Sequence, residues 1–342
     1  MNTLSIPEPV SGGILLSYKC TEECKHCIYA CSPKWSADWL SEKSGEKILT
    51  WIASKLPSNP LHRIGVNYGL HFTGGEPFLN FKLLLKLVRI ARELNIGGTF
   101  VETNCFWCVN DEITHHRLNK LKEAGLDGIL VSANPFIVEG VPFERIKRAI
   151  EISKKIFAGK VLVYHDLFYR HLKQLNFEKV LPFKKYMEIM SQTDKYSLYS
   201  ALSFPSILPI GRAPYRLGYL YRKHPPRYFF NHSCKEELTR NWHVHVDNYG
   251  NYITGYCAGI SLGNILEGSG ERQLDLDSYP ILQALLRSIR KLYEVACTQF
   301  GYKELEGGYL SKCHLCLDIR RHIISQTQEF KELKPTEFYS HL

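Results

Sequence analysis

An α/β fold, with a mainly parallel sheet wrapped by helices and curled into a partial (β/α)6 TIM-like barrel, is what this 342-residue sequence predicts. Three observations predict it. Strand-like and helix-like segments take turns from residue 12 to about residue 220. The helical stretches between strands are long enough for the crossovers that parallel pairing requires. Cysteines and glycines gather just after strand ends, where a barrel of this kind opens its ligand site.

The expected strands are Gly13 to Tyr18, Val66 to Phe72, Thr99 to Glu102, Gly128 to Ser132, Val161 to Tyr164 and Leu198 to Leu208. Between them, apolar periodicity predicts helices over Ser41 to Leu56, Phe81 to Leu94, Asp111 to Ala124, Phe143 to Phe157 and Phe183 to Ser191. The pattern changes near Pro225-Pro226. Apolar residues alternate around Asn248-Tyr249-Gly250-Asn251, which predicts a β-hairpin with Gly250 in the turn, followed by a helix over Ile281 to Val295 and a cysteine pair. The expected domains are therefore a barrel core over 1–222 and a smaller C-terminal module over 223–342 that holds the hairpin, the helix and the cysteine pair.

Composition narrows the function. With 44% hydrophobic and 23% charged residues the chain can bury a sizeable core. The sequence has no apolar run of membrane-spanning length and its start, MNTLSIPEPVSGG, lacks the regions of a signal peptide, so a cytoplasmic protein without a membrane partner is expected. Eleven cysteines in a reducing compartment point to metal or redox chemistry rather than disulfides. The net charge of +9 suits an anionic ligand, but the basic residues are dispersed along helices, which argues against a nucleic-acid footprint.

Cys20-Thr-Glu-Glu-Cys24-Lys-His-Cys27 follows the first expected strand. Soft thiolates suit an iron–sulfur cube or zinc, and three ligands to four irons leave one iron open. A zinc knot completed by His26 or Cys31 stays open at this point. Thr73-Gly74-Gly75-Glu76-Pro77 follows the second expected strand, where glycines allow close backbone approach and a carboxylate can accept hydrogen bonds from an ammonium.

The 3-then-2 cysteine spacing, followed in order by the Gly-Gly-Glu-Pro turn, resembles the radical S-adenosylmethionine (SAM) superfamily. The resemblance implies a [4Fe-4S] cluster on Cys20, Cys24 and Cys27 whose open iron binds SAM. It also implies cleavage of SAM to a 5′-deoxyadenosyl radical that takes a hydrogen atom from a substrate. Gly74, Gly75 and Glu76 then face the SAM amino group. Val101-Glu102-Thr103-Asn104 and Val131-Ser132-Ala133-Asn134 resemble the third and fourth strand endings of the family, which makes Asn104, Ser132 and Asn134 SAM contacts, although Cys105 and Asn134 depart from its usual Gly and Asp. Leu208-Pro209-Ile210-Gly211-Arg212-Ala213 resembles a later family element, with Arg212 pairing with the SAM carboxylate.

Cys234, Cys257, Cys313 and Cys316 could form a complete shell for a cluster or for zinc. The stretch from Gly250 to Cys257 and Leu262-Gly263-Asn264-Ile265 resembles the SPASM/Twitch extension, which implies an auxiliary [4Fe-4S] cluster. Cys105, in Cys105-Phe-Trp-Cys108, is the candidate catalytic thiol, as a redox partner or hydrogen-atom donor. Cys31 is placed at the cluster loop and Cys297 in the core. Tyr164, His165 and Asp166 end the fifth strand, and His243 and His245 are expected as partly exposed hairpin side chains. Relatives with such extensions commonly modify peptides, so a peptide or protein is the expected substrate, with a small anionic or nucleotide-like molecule, or a zinc-stabilised RNA-binding role, as alternatives. A ferredoxin or flavodoxin is the expected reductant. The motif's start at Cys20 is expected to leave no room for a leader-recognition domain before it.

Overall fold

The computed structural model describes residues 2–36, 38–204, 206–268 and 273–342. In chain order the strands are β1 (Thr3–Ser5), β2 (Gly12–Leu15), β3 (Leu70–Thr73), β4 (Thr99–Thr103), β5 (Gly128–Ser132), β6 (Val161–Tyr164), β7 (Val244–Val246), β8 (Tyr252–Ile253) and β9 (Gln273–Asp275). The helices are α1 (Glu42–Ala53), α2 (Phe81–Glu93), α3 (Asp111–Ala124), α4 (Phe143–Ile156), α5 (Asp166–Gln174), α6 (Phe183–Thr193), α7 (Lys195–Leu202), α8 (Ala213–Arg216), α9 (Lys235–Leu238), α10 (Pro280–Arg287), α11 (Ile289–Phe300) and α12 (Lys312–Gln326).

The main sheet runs β6-β5-β4-β3-β2-β7-β8, while β1 and β9 form a separate antiparallel pair. From β6 to β7 all pairings are parallel. Such strands are covered on both faces, which explains the unbroken burial of β2 and β3 and the near-continuous burial of β5. The covering helices form where the sequence supplies caps and apolar stripes. Asn80 caps α2, whose Leu83, Leu84, Leu87, Val88 and Ala91 lie on the buried side. Asn110 caps α3, and Gly125 ends it in the left-handed region at φ 111°.

The sixth parallel strand differs from expectation. Leu198 to Leu208 is not a strand: its first part belongs to α7, capped by Asp194, with Leu198, Ala201 and Leu202 buried at helical spacing. Pro205, within that stretch, lies outside the described residues. The sixth parallel position is filled at the opposite edge of the sheet by β7, where Gly12 faces Val244 and Ile14 faces Val246. The hairpin formed by β7 and β8 has the expected antiparallel pairing, and Gly250 adopts φ 89° in its turn. Thus two strands from beyond residue 222 extend the same sheet. The expected helix over Ile281 to Val295 is two helices, because Ser288 leaves helical geometry and caps α11 by accepting from Lys291 N–H. Among the described residues, no helix is long and apolar enough to cross a membrane.

Candidate functional site

The loop between β2 and α1 carries Cys20, Cys24 and Cys27 to the wall of a cavity of about 200 Å³, together with Cys31, Gly74 and Gly75. The loop is pinned by backbone contacts. Cys20 N–H donates to the Ser32 carbonyl, Ser32 N–H to the Tyr18 carbonyl, and Cys27 N–H to the Cys24 carbonyl. The Gly-Gly-Glu-Pro turn lies flush against it: Gly75 N–H donates to the Ser17 carbonyl and Glu76 N–H to that of Lys19. A Cβ at Gly75 would fall 1.7 Å from the Lys19 carbonyl oxygen, so no side chain fits. Gly75→Ala is therefore expected to push the cysteine loop outward and to lower the iron retained after anaerobic reconstitution, while Gly307→Ala, whose Cβ would meet only the end of the Lys223 side chain at 3.6 Å, serves as the comparison for iron content.

Glu76 is buried beneath the turn and does not reach the cavity wall. Its carboxylate accepts from Thr103 Oγ, Asn104 N–H and Phe78 N–H, tying β3 to β4. Burial holds this carboxyl up at about 7 against those hydrogen bonds. Asn104 does face the cavity, and its Nδ2 donates to Thr21 Oγ and lies 3.8 Å from Cys20 Sγ. Ser132 lines the cavity and donates to Glu102, whose other oxygen accepts from Thr73. Glu102 is thus one of two carboxylates on the cavity wall, with Glu22, and burial holds both above the ordinary range. Its place in the strand ending gave no sign that it, rather than Glu76, would point inward. Asn134 instead caps its own turn by accepting from Phe136 and Ile137 N–H and touches His26, which stacks on Phe136.

Two expected roles move. Arg212 does not face the cavity: its guanidinium donates to the carbonyls of Cys24, Cys31 and His341, and it braces the cysteine loop from behind. Cys105 does not line the cavity either. It is fully buried in the core beside Cys108, with its thiol turned to the Thr103 carbonyl, which argues against contact with a substrate radical. Tyr164 reaches the cavity, whereas His165 caps α5 and Asp166 pairs with Arg170 at the surface. Cys297 is half-buried on α11. His71 and Tyr256, neither selected from the sequence, also line the cavity, as do His243, which is half-buried in keeping with the expected partial exposure, and His245, which is buried rather than partly exposed.

The soft thiolate donor set suits an iron–sulfur cube, with three ligands to four irons leaving one iron open. Cys27 is ready to ligate: a hydrogen bond from Cys31 and the charge of Arg212 outweigh burial and bring its thiol down to about 6. Cys20 and Cys24, by contrast, are pushed well above the thiol range by burial, a penalty that a bound cationic cluster offsets.

Cys234, Cys257, Cys313 and Cys316 converge on a second, smaller cavity of about 30 Å³. Cys234 precedes α9, Cys257 follows β8, and Cys313 and Cys316 stand one turn apart on α12. Burial, with mutual repulsion second, pushes Cys257 and Cys313 up to about 12, so this dry shell also calls for a cationic core. Both sites thus have the soft donors and the electrostatic need for [4Fe-4S] clusters.

Comparison with known proteins agrees. Residues 13–135 match the family described as a 4Fe-4S single cluster domain. YydG of Bacillus subtilis (strain 168), a protein assigned to peptide biosynthesis, is 25% identical over 142 residues, which span 42% of this chain and 41% of that protein. A solved structure of anSMEcpe with bound SAM and the Kp18Cys peptide is 15% identical, covering 93% of this chain and 98% of that one at a TM-score of 0.46. Streptococcus suis SuiB bound to its precursor peptide SuiA is 12% identical, covering 98% and 76% at 0.34. The stretch that carries Cys20, Cys24 and Cys27 is thus similar to a 4Fe-4S single cluster domain, and the chain spans less than half the length of the curated relative it matches.

Proposed function

We propose that this protein is an enzyme that cleaves SAM reductively and abstracts a hydrogen atom from a peptide or protein side chain or backbone. The observation that carries the reading is the meeting of Cys20, Cys24 and Cys27 with Gly74, Gly75 and Asn104 on one cavity. When bound there, a cluster with one open iron and SAM supply a carbon radical able to break a C–H bond. The protein's own residues do the rest. Gly74 and Gly75 expose backbone to the ligand, Glu102 presents a carboxylate to an ammonium, and Arg212 braces the Cys24-to-Cys31 stretch of the loop from behind. A ferredoxin or flavodoxin in the cytoplasm is the proposed electron source.

Peptide chemistry is favoured by the second cysteine site and by the peptide-related names of the relatives, YydG among them. Oxygen-free reconstitution followed by chemical reduction tests the reading: about eight irons per chain, as two cubes require, and formation of 5′-deoxyadenosine are expected. Colourless, zinc-loaded protein without SAM cleavage refutes it. Cys316→Ala is expected to lose about half of the iron and keep SAM cleavage uncoupled from product, which liquid chromatography of both products reads directly.

A further inference from the structure

Three histidines outside both cysteine sites come together on the wall of the larger cavity. His71 lies on β3, two residues before Thr73, and His245 on β7. β2 runs between them, and Gly13 is the register partner of both. A Cβ at Gly13 would stand 2.5 Å from His71 Cε1 and Nε2, so only glycine lets the two rings meet above the strand. They do meet, with Nε2 to Nε2 at 3.0 Å. His243 completes the group: its ring stacks on His71 at 5.1 Å and stands edge-on to His245 at 4.8 Å. Its backbone sits at φ 54°, held there by a hydrogen bond from its N–H to Ser11 Oγ, an uncommon conformation for a residue other than glycine.

One nitrogen of each ring lies within 4.8 Å of the others. Two nitrogens bound to one tetrahedral zinc ion lie roughly 3.3 Å apart, from Zn–N bonds of 2.0–2.1 Å, which is close to the observed separation of His71 and His245. A hydrogen-bonded imidazole pair alone leaves the arrangement incomplete, because Nδ1 of His243 and Nδ1 of His245 are both buried without a partner. Burial keeps all three rings neutral: His71 is brought down to about 3 and His243 to about 4, and His245 falls well below the usual range. Neutral imidazole is the ligand-competent form.

We propose that His71, His243 and His245 form a mononuclear site for a divalent transition-metal ion, zinc by preference, in the wall of the substrate cavity, separate from both iron–sulfur sites. Three imidazoles leave a fourth position, which the cavity fills with water or with a carbonyl or carboxylate oxygen of the substrate. The ion undergoes no redox change; it anchors. The site stands or falls independently of SAM cleavage, since none of its ligands is a cysteine.

Cobalt(II) is the probe, because its visible spectrum separates nitrogen and oxygen ligands from thiolate. Protein with both clusters reconstituted is stripped with a chelator and titrated with Co2+ alone. One Co2+ per chain, with ligand-field bands and no added sulfur charge-transfer band, is expected. His71→Gln and, separately, Gly13→Ala are expected to weaken Co2+ binding at least tenfold at unchanged iron content; the second variant leaves all three ligands in place and acts only by moving a ring. His243→Asn is the further check if either fails to retain iron. Absence of Co2+ uptake by the wild-type holoprotein, uptake with thiolate bands, or uptake undiminished in the variants that keep their iron overturns the proposal.

Discussion

Cys24→Ala, reconstituted without oxygen, is expected to lose SAM cleavage by roughly a thousandfold or more, equivalent to about 4 kcal/mol in the barrier. Cys24 sits on the cavity wall between Cys20 and Cys27, and the three thiols repel one another as thiolates. Two sulfurs do not hold a cube, and Cys31, on the same cavity wall, has its thiol hydrogen-bonded to Cys27. Iron is expected to fall to about half, the auxiliary site remaining. Cys297→Ala, on a half-buried helix position outside both cavities, is the matched control. Full cleavage by the Cys24 variant would remove the basis of the proposed function.

The second large effect is expected at Arg212. This side chain is fully buried, and its three donors span the carbonyls of Cys24, Cys31 and His341 at 2.8–2.9 Å. Arg212→Ala strands three buried acceptors and removes the charge that favours the Cys27 thiolate. A loss of about 3–5 kcal/mol is expected, visible as a fall in Tm of about 4–7 °C. Arg212→Lys is expected to recover little of it, because a single ammonium cannot reach three carbonyls arranged around a planar fork. Thermal unfolding of the reconstituted variants, with iron assayed before and after, checks both statements. Wild-type stability in the Lys variant would mean that charge alone, and not the three-point brace, holds the loop.

What was legible in the sequence was what is local. Cysteine spacing and the glycine pair after β3 are short-range signals, and the positions of β3 to β6 follow from apolar runs separated by capped helices. What was illegible depends on partners far away in the chain. Leu198 to Leu208 has enough apolar residues for a strand, but Asp194 and the spacing of Leu198, Ala201 and Leu202 favour a helix, and the sheet already has its sixth parallel neighbour in β7. Arg212 reads as a SAM ligand in its motif; only its burial behind the cysteine loop reveals a bracing role. Cys105 follows a strand end, yet the turn at φ 67° rotates its thiol into the core. His71 is one polar residue in an apolar strand and carries no signal until β7 brings His245 across Gly13.

The contact between Arg212 and His341 also orders events during synthesis. His341 stacks on Trp35, which stacks on Tyr18, so the far end of the described chain lies beside the loop that binds the first cube. On a ribosome adding 5–20 residues per second, Cys20 to Cys31 emerge roughly 15–60 s before that clasp exists. Iron arriving early meets three tethered but unfixed thiols, open to oxygen and to stray zinc. Faithful loading therefore belongs after the His341 segment has been made and has folded back onto the cysteine loop.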